Sequence, residues 1–120
     1  MTGGVVNSKT YGVVAPDILK SYNGLEFLQA MIAGKVPNPP ISELLGFHLT
    51  EIEKGRGVFE GVPEFHHYNP IGTVHGGFAA TLLDSALGCA IFSTRSAIWR
   101  AVMRSGLSRR PSATSALRSR

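Results

Sequence analysis

Residues 69–84 read NPIGTVHGGFAATLLD, a polar, glycine-rich loop directly before an apolar segment. From Ala79 onward, apolar residues recur at steps of three and four, as they do along the buried side of an amphipathic helix. These positions are Ala79, Leu82, Leu83, Ala86, Leu87, Ala90 and Ile91. The sequence therefore predicts a helix after the glycines that packs on the core through this stripe.

Asp84 lies off the stripe. At about 100° per residue it shares a helix face with Gly77, Ala80, Thr81 and Gly88, which are small enough for another backbone to come close. The pattern predicts that the carboxylate faces a packed partner. The alternative is a solvated aspartate on the polar side of an ordinary helix.

The glycines before the helix offer a second chemical group. The first N–H groups of a helix have no intrahelical acceptor and carry partial positive charge, so they can hold an oxyanion. Gly76 and Gly77 have no side chains to block a carbonyl from these donors, as acyl transfer requires. The alternative is a glycine turn that only starts the helix.

Together with His67 and Tyr68, this run resembles the PaaI-like branch of the hotdog-fold acyl-CoA thioesterases. That family's pattern is Asn, Gly, His-Gly-Gly and then Leu-x-Asp. The matching residues here are Asn69, Gly72, His75, Gly76, Gly77, Leu82, Leu83 and Asp84. The resemblance covers about residues 20–92 and implies an α+β hotdog fold, in which an antiparallel sheet wraps a central helix.

The resemblance also implies roles for individual residues. Asp84 would be the nucleophile or general base, and the Gly76 N–H would polarise the thioester carbonyl. Asn69 would position water or the leaving group, and His75 would either support the loop or take part in the chemistry.

It further implies that acyl-CoA is the substrate and that Gly77 and Thr81 border it. No cofactor and no metal are expected.

Helix geometry limits how one site could use both groups. Eight residues separate Gly76 from Asp84, which at 1.5 Å per residue is about 12 Å, whereas a base acts within about 3 Å of its reacting partner. Two antiparallel copies of the helix would bring Asp84 of each chain beside Gly76 of the other across an isologous interface. We therefore expect a homodimer or a dimer of dimers.

The chain changes character after Phe92. Residues 1–92 carry five basic and eight acidic side chains, a net charge of −3, whereas residues 93–120 carry seven arginines and no acid. The predicted organisation is the N-terminal part of a hotdog domain over residues 1–92 and a basic tail over residues 93–120. The fold would be incomplete, because the family's later strands have no counterpart.

Three interpretations of the tail remain open: a shifted reading frame, a basic amphipathic helix for a membrane or nucleic acid, or disorder without a partner. A shifted reading frame predicts a protein that has neither a membrane nor a nucleic acid as partner, and this is what we expect. The alternative function is a non-catalytic remnant that keeps the motif but has an incomplete sheet, with an exposed edge that favours association.

The remaining sequence gives weaker signals. The start of the chain lacks a secretory signal and no stretch is long and apolar enough to span a membrane, so we expect a cytoplasmic protein. The single cysteine, Cys89, is expected to be a buried small hydrophobe. His66, His67 and His75 with Asp84 do not have the spacing of a metal site, and His48 is expected to be structural.

Earlier elements follow from periodicity and turn residues. A helical stripe that includes Leu25 and Leu28 should end at Gly34, after an entry at Pro16-Asp17. Residues 41–45 should form a short turn. Two strands, 47–53 and 58–62, should form a hairpin across the intervening glycines.

Overall fold

The computed structural model describes residues 9–95, which form four helices and one antiparallel hairpin. The helices are α1 (Pro16–Lys20), α2 (Gly24–Ile32), α3 (Pro40–Leu45) and α4 (Gly76–Phe92), and the strands are β1 (Phe47–Glu53) and β2 (Arg56–Gly61). A short 3-10 helix, Phe65–His67, lies between β2 and α4. The described part is thus a mixed α+β structure with a two-stranded sheet.

The predicted first helix is two helices, α1 and α2. A capping box starts α2, because Asn23 Oδ1 accepts from the Glu26 N–H at 2.8 Å while Glu26 Oε2 accepts from the Asn23 N–H at 3.5 Å. Gly34, at φ +76°, follows the helix and turns the chain. The turn predicted for residues 41–45 is the helix α3.

The hairpin agrees closely with the prediction. β1 has the predicted bounds, and β2 starts two residues earlier than expected, at Arg56. Gly55, at φ +81°, makes the tight connection possible. Phe47 pairs with Gly61 at the far end, and the register shifts between Leu49 and Glu51.

The core lies where α2 and α4 pack against the hairpin. Phe47 is fully buried and its ring contacts those of Phe59 and Phe78, with centroids 5.9 and 6.3 Å apart. Gly61 permits this packing, because a Cβ there would come within 2.7 Å of the Phe47 Cβ. At the other end of α4, Phe92 contacts Phe27 of α2, with centroids 6.0 Å apart.

The predicted burial of the α4 stripe is only half right. Leu82, Ala86 and Ala90 are partly buried on the side that faces the hairpin. The other members of the stripe are exposed, and Leu83, Leu87 and Ile91 are 60%, 65% and 60% exposed. The physical reason is that apolar residues surround most of α4, while two strands can cover only one side of a helix.

Contacts with the rest of the described structure continue for three residues past Phe92, where the predicted domain ends. Ser93 is 4% exposed and its hydroxyl accepts from the Gly55 N–H at 2.8 Å. The Gly24 N–H donates to the Arg95 carbonyl at 3.1 Å. Residues 93–95 are therefore part of the scaffold, and the remainder of the predicted tail, 96–120, lies outside the described residues.

None of the helices within residues 9–95 is long and apolar enough to cross a membrane.

Candidate functional site

The loop before α4 is held by hydrogen bonds of its own backbone. The Asn69 N–H donates to the Thr73 carbonyl at 2.6 Å, and the Gly72 N–H donates to the Asn69 carbonyl at 3.0 Å. Gly72 has φ +83°, a conformation that favours glycine, and Tyr68 pairs with Val74 as an antiparallel bridge. These contacts fix the direction in which the chain enters α4.

Asn69 contributes to the same loop through its side chain. Its Nδ2 group donates to Thr73 Oγ1 at 3.3 Å and to the Val74 carbonyl at 3.4 Å. Both bonds are long, and the residue is only partly buried. The side-chain amide is thus tied to the loop through its nitrogen, and no donor within residues 9–95 occupies its Oδ1.

His75 is the N-cap of α4. Its Nδ1 accepts a hydrogen bond from the Gly77 N–H at 2.8 Å, which satisfies one of the open donors at the helix start. Because Nδ1 is the acceptor in this bond, the ring nitrogen that can donate is Nε2. Two roles were left open for His75, support of the loop and a part in the chemistry. The bond to the Gly77 N–H is a contact of the supporting kind.

Gly76 and Gly77 differ in what surrounds them. A Cβ added to Gly77 would lie 2.9 Å from His75 Nδ1, so this glycine makes room for the capping ring. A Cβ added to Gly76 would meet nothing within 4 Å, and within residues 9–95 no acceptor faces its N–H. Within residues 9–95 the Gly76 N–H is therefore an unused donor beside an open Cβ position, while the Gly77 N–H already donates to His75.

Asp84 lies on the exposed side of α4, about 12 Å along the helix from Gly76. It forms no ion pair or hydrogen bond with any residue in the described range. Thr81 is partly buried, and its hydroxyl donates back to the Gly77 carbonyl at 2.7 Å. Within one chain, α4 thus holds the two proposed reactive groups apart.

The exposed side of α4 combines this carboxylate with an apolar surface. Leu83, Leu87 and Ile91 follow one another at four-residue steps, and the small residues Ala80 and Gly88 lie beside them. We call these residues, with Asp84, the outer face of α4. Sequence reasoning missed that Leu83, Leu87 and Ile91 are uncovered, although apolar residues on nearly all sides of the helix are a signal for it.

The other histidines form contacts that the sequence did not assign to them. His67 is buried beside Phe78, with ring centroids 4.6 Å apart. His48 Nε2 is 2.7 Å from the Tyr11 hydroxyl, in keeping with a structural role, and burial followed by the charge of Lys9 lowers its pKa. Between residues 9 and 95, no three or more His, Cys, Asp and Glu side chains are grouped to hold a metal ion.

Cys89 is half-buried on the covered side of α4, and burial raises the pKa of its thiol. A raised pKa reduces the thiolate fraction at neutral pH, and the thiolate is the reactive form. The expectation of a small hydrophobic residue rather than a nucleophile is consistent with this position.

Comparison with family models, with curated proteins and with solved structures found no match to this chain.

Proposed function

We propose that this protein is an acyl-CoA thioesterase of the PaaI-like hotdog type. The observation that carries the proposal is the start of α4, where His75 caps the helix through the Gly77 N–H and the Gly76 N–H is left without an acceptor within residues 9–95. An N–H in that position suits the oxygen of a thioester carbonyl, because the charge that develops on this oxygen during attack is stabilised by a fixed donor. Asp84, on the same helix and without an ion-pair or hydrogen-bond partner between residues 9 and 95, is the reactive carboxylate of the proposal.

The reaction converts acyl-CoA and water into a free acid and coenzyme A. Asp84 either attacks the carbonyl carbon itself or takes a proton from an attacking water. The carbonyl oxygen becomes an oxyanion at the Gly76 N–H, and as this intermediate collapses the C–S bond breaks and coenzyme A leaves as a thiolate that takes up a proton. If Asp84 is the nucleophile, water then hydrolyses the anhydride between Asp84 and the acyl group, which releases the free acid. Asn69 holds its Oδ1 free for the water or the leaving group, and Gly77 and Thr81 border the substrate.

Two copies are required, because a substrate cannot span about 12 Å between Gly76 and Asp84 of one helix. If two α4 helices run antiparallel with Gly76 of one beside Asp84 of the other, they cross at Ala80, midway between the two. Ala80 is exposed and small, so the helices can approach within the 8–10 Å typical of packed pairs. The same register places Leu83 against Gly77 of the second copy, where no side chain is in the way.

Burial of the outer face supplies a reason for the copies to associate. Leu83, Leu87 and Ile91 are each at least 60% exposed in the single chain. Removing a large apolar side chain from water stabilises a complex by about 1.5–3 kcal/mol. In the register above, the second copy of α4 would cover Leu83 of both chains, while Leu87 and Ile91 would lie beyond its start, on the side of the loop that precedes it.

Asp84→Asn tests the chemistry. The substitution keeps the size of the side chain and removes the base, so hydrolysis of a panel of aryl-CoA and fatty acyl-CoA thioesters should fall by about 10² or more. Asp17→Asn, at another exposed acid, on α1, is the matched control and should retain full activity. Near-normal hydrolysis by Asp84→Asn would reject the assignment.

A non-catalytic protein is the second candidate, favoured by the two-stranded sheet of residues 9–95, which leaves a strand edge and the outer face of α4 uncovered. It predicts association without hydrolysis of any thioester in the panel. A defined dimer that lacks activity would select this candidate.

A further inference from the structure

His67 is a buried titratable residue that the proposed reaction does not use. It is 7% exposed, and its ring lies against Phe78 at 4.6 Å and His66 at 4.0 Å between centroids. It sits at the end of the 3-10 helix that leads from β2 toward the loop. The residue is therefore packed directly beneath the start of α4.

The ring of His67 accepts a hydrogen bond from the main chain. The Glu64 N–H donates to Nδ1 at 2.9 Å, so the proton of the neutral ring is on Nε2. Nε2 is fully buried and has no partner within residues 9–95. A buried polar group without a partner costs about 1–3 kcal/mol. A phenylalanine would avoid this cost, so the histidine is explained by the hydrogen bond that its Nδ1 accepts from the Glu64 N–H.

The main chain of His67 connects this contact to the candidate site. Its carbonyl accepts from the His75 N–H at 2.8 Å, and His75 Nδ1 in turn accepts from the Gly77 N–H at 2.8 Å. These three bonds form a continuous series from Glu64 through His67 and His75 to Gly77, the Glu64–Gly77 series. Gly76 lies between two residues whose positions the series fixes.

We propose that His67 is a positioning residue for the Gly76 N–H. By accepting from Glu64 and packing on Phe78, the ring fixes the direction of its own carbonyl, and the carbonyl fixes the capping residue His75. The orientation of the Gly76 donor follows from these contacts. This inference rests on the proposed thioesterase function, in which that donor faces the carbonyl oxygen.

Three substitutions of His67 separate positioning from packing. His67→Phe keeps a ring against Phe78 but removes the acceptor for the Glu64 N–H. His67→Asn carries an amide oxygen near the place of Nδ1, and His67→Gln carries one near the place of Nε2. Only the asparagine variant should restore the acceptor to Glu64.

We expect the His67 variants to differ in kcat and to have similar KM values. Misplacing a transition-state donor by about 1 Å lowers kcat by about tenfold or more while leaving ground-state binding intact. His67→Phe and His67→Gln should thus lose kcat with KM unchanged within about twofold, and His67→Asn should recover most of it. His66→Phe is the matched control, because His66 is exposed and outside the series, and it should keep wild-type kinetics.

Amide hydrogen exchange followed by NMR gives a readout that does not depend on activity. The Gly77 and His75 amides should lose protection in His67→Phe and His67→Gln and keep it in His67→Asn. If the wild-type chain hydrolyses no thioester, the proposed function fails and the exchange result alone decides the positioning role. If His67→Phe does not fold, the asparagine and glutamine variants still decide it.

Equal kcat in the asparagine and glutamine variants, or unchanged Gly77 exchange in both, would overturn the proposal.

Discussion

Ser93 and Gly55 are 38 residues apart in sequence and joined by a hydrogen bond of 2.8 Å from the Gly55 N–H to the Ser93 hydroxyl oxygen. The same hydroxyl donates to the Ala90 carbonyl at 2.6 Å. One side chain thus ties the end of α4 to the turn of the hairpin. The last turn of α4 is anchored at the point where the composition of the chain changes.

Removing this anchor should destabilise the fold. Ser93→Ala leaves the Gly55 N–H without its acceptor, which should lower the free energy of unfolding by about 1–2 kcal/mol. Thr94→Ala is the control, since Thr94 is exposed and its hydroxyl donates to the Ile91 carbonyl in the last turn of α4. Its effect should stay within about 0.5 kcal/mol. Urea titration measures both, and equal losses would contradict a special role for Ser93.

Association of two α4 helices should depend on Ala80. Ala80→Arg places a long charged side chain at the proposed crossing point, so the chain should become monomeric and lose thioesterase activity. Light scattering after gel filtration measures the mass directly. Ala33→Arg, at an exposed alanine after α2, should leave the dimer intact. A dimer that survives Ala80→Arg would exclude this crossing.

Mixing two inactive chains tests whether each site is shared. Gly76→Val places a branched side chain beside the donor, and a Cβ at Gly76 meets nothing within 4 Å among the described residues. Coexpressed with Asp84→Asn, it should give mixed dimers with one intact and one doubly altered site, and activity should partly return. Verified mixed dimers without activity would reject the shared site.

Acid should weaken the fold through His48. Burial, and then the charge of Lys9, lowers the pKa of His48 below its ordinary value of 6.5. The unfolded chain therefore binds more protons than the folded chain as the pH falls below 6.5, and stability drops.

His48→Gln keeps a polar group near Tyr11 and cannot titrate. Between pH 7.5 and pH 5, wild type should therefore lose more stability than this variant, because the two pH values lie about one unit or more on either side of the ordinary histidine pKa. Urea midpoints at the two pH values provide the comparison, with His66→Gln as control. Parallel losses in wild type and His48→Gln would show that another group is responsible.

Much of the fold could be predicted because local rules decide it. The hairpin follows from the glycines between two short apolar strands, and α4 follows from its periodicity. The burial of α4 could not be predicted, because apolar residues surround it and the covered side is chosen by a distant contact, that of Phe47 with Phe78. A periodic pattern gives the faces of a helix but not the element that covers each one.

The candidate site, like the fold, was predictable from the sequence only in part. The loop and the glycines at the start of α4 were recognisable as a motif, and their positions agree with the expectation that they open the helix. The contribution of His67 was not recognisable, since the bond to His75 is made by a main-chain carbonyl, which every residue possesses. A sequence pattern cannot indicate a hydrogen bond to a main-chain carbonyl, because every residue has this acceptor.

If the proposed site is shared between two chains, the uncovered leucines and isoleucine of α4 would also make its activity depend on the amount of protein. When a complete site needs two chains, the active fraction depends on concentration as well as on affinity. Dilution below the dissociation constant of the pair would leave separate chains, each with a donor but no opposing carboxylate. Specific activity should therefore rise with enzyme concentration and then level off, so that cellular abundance itself would switch the protein on.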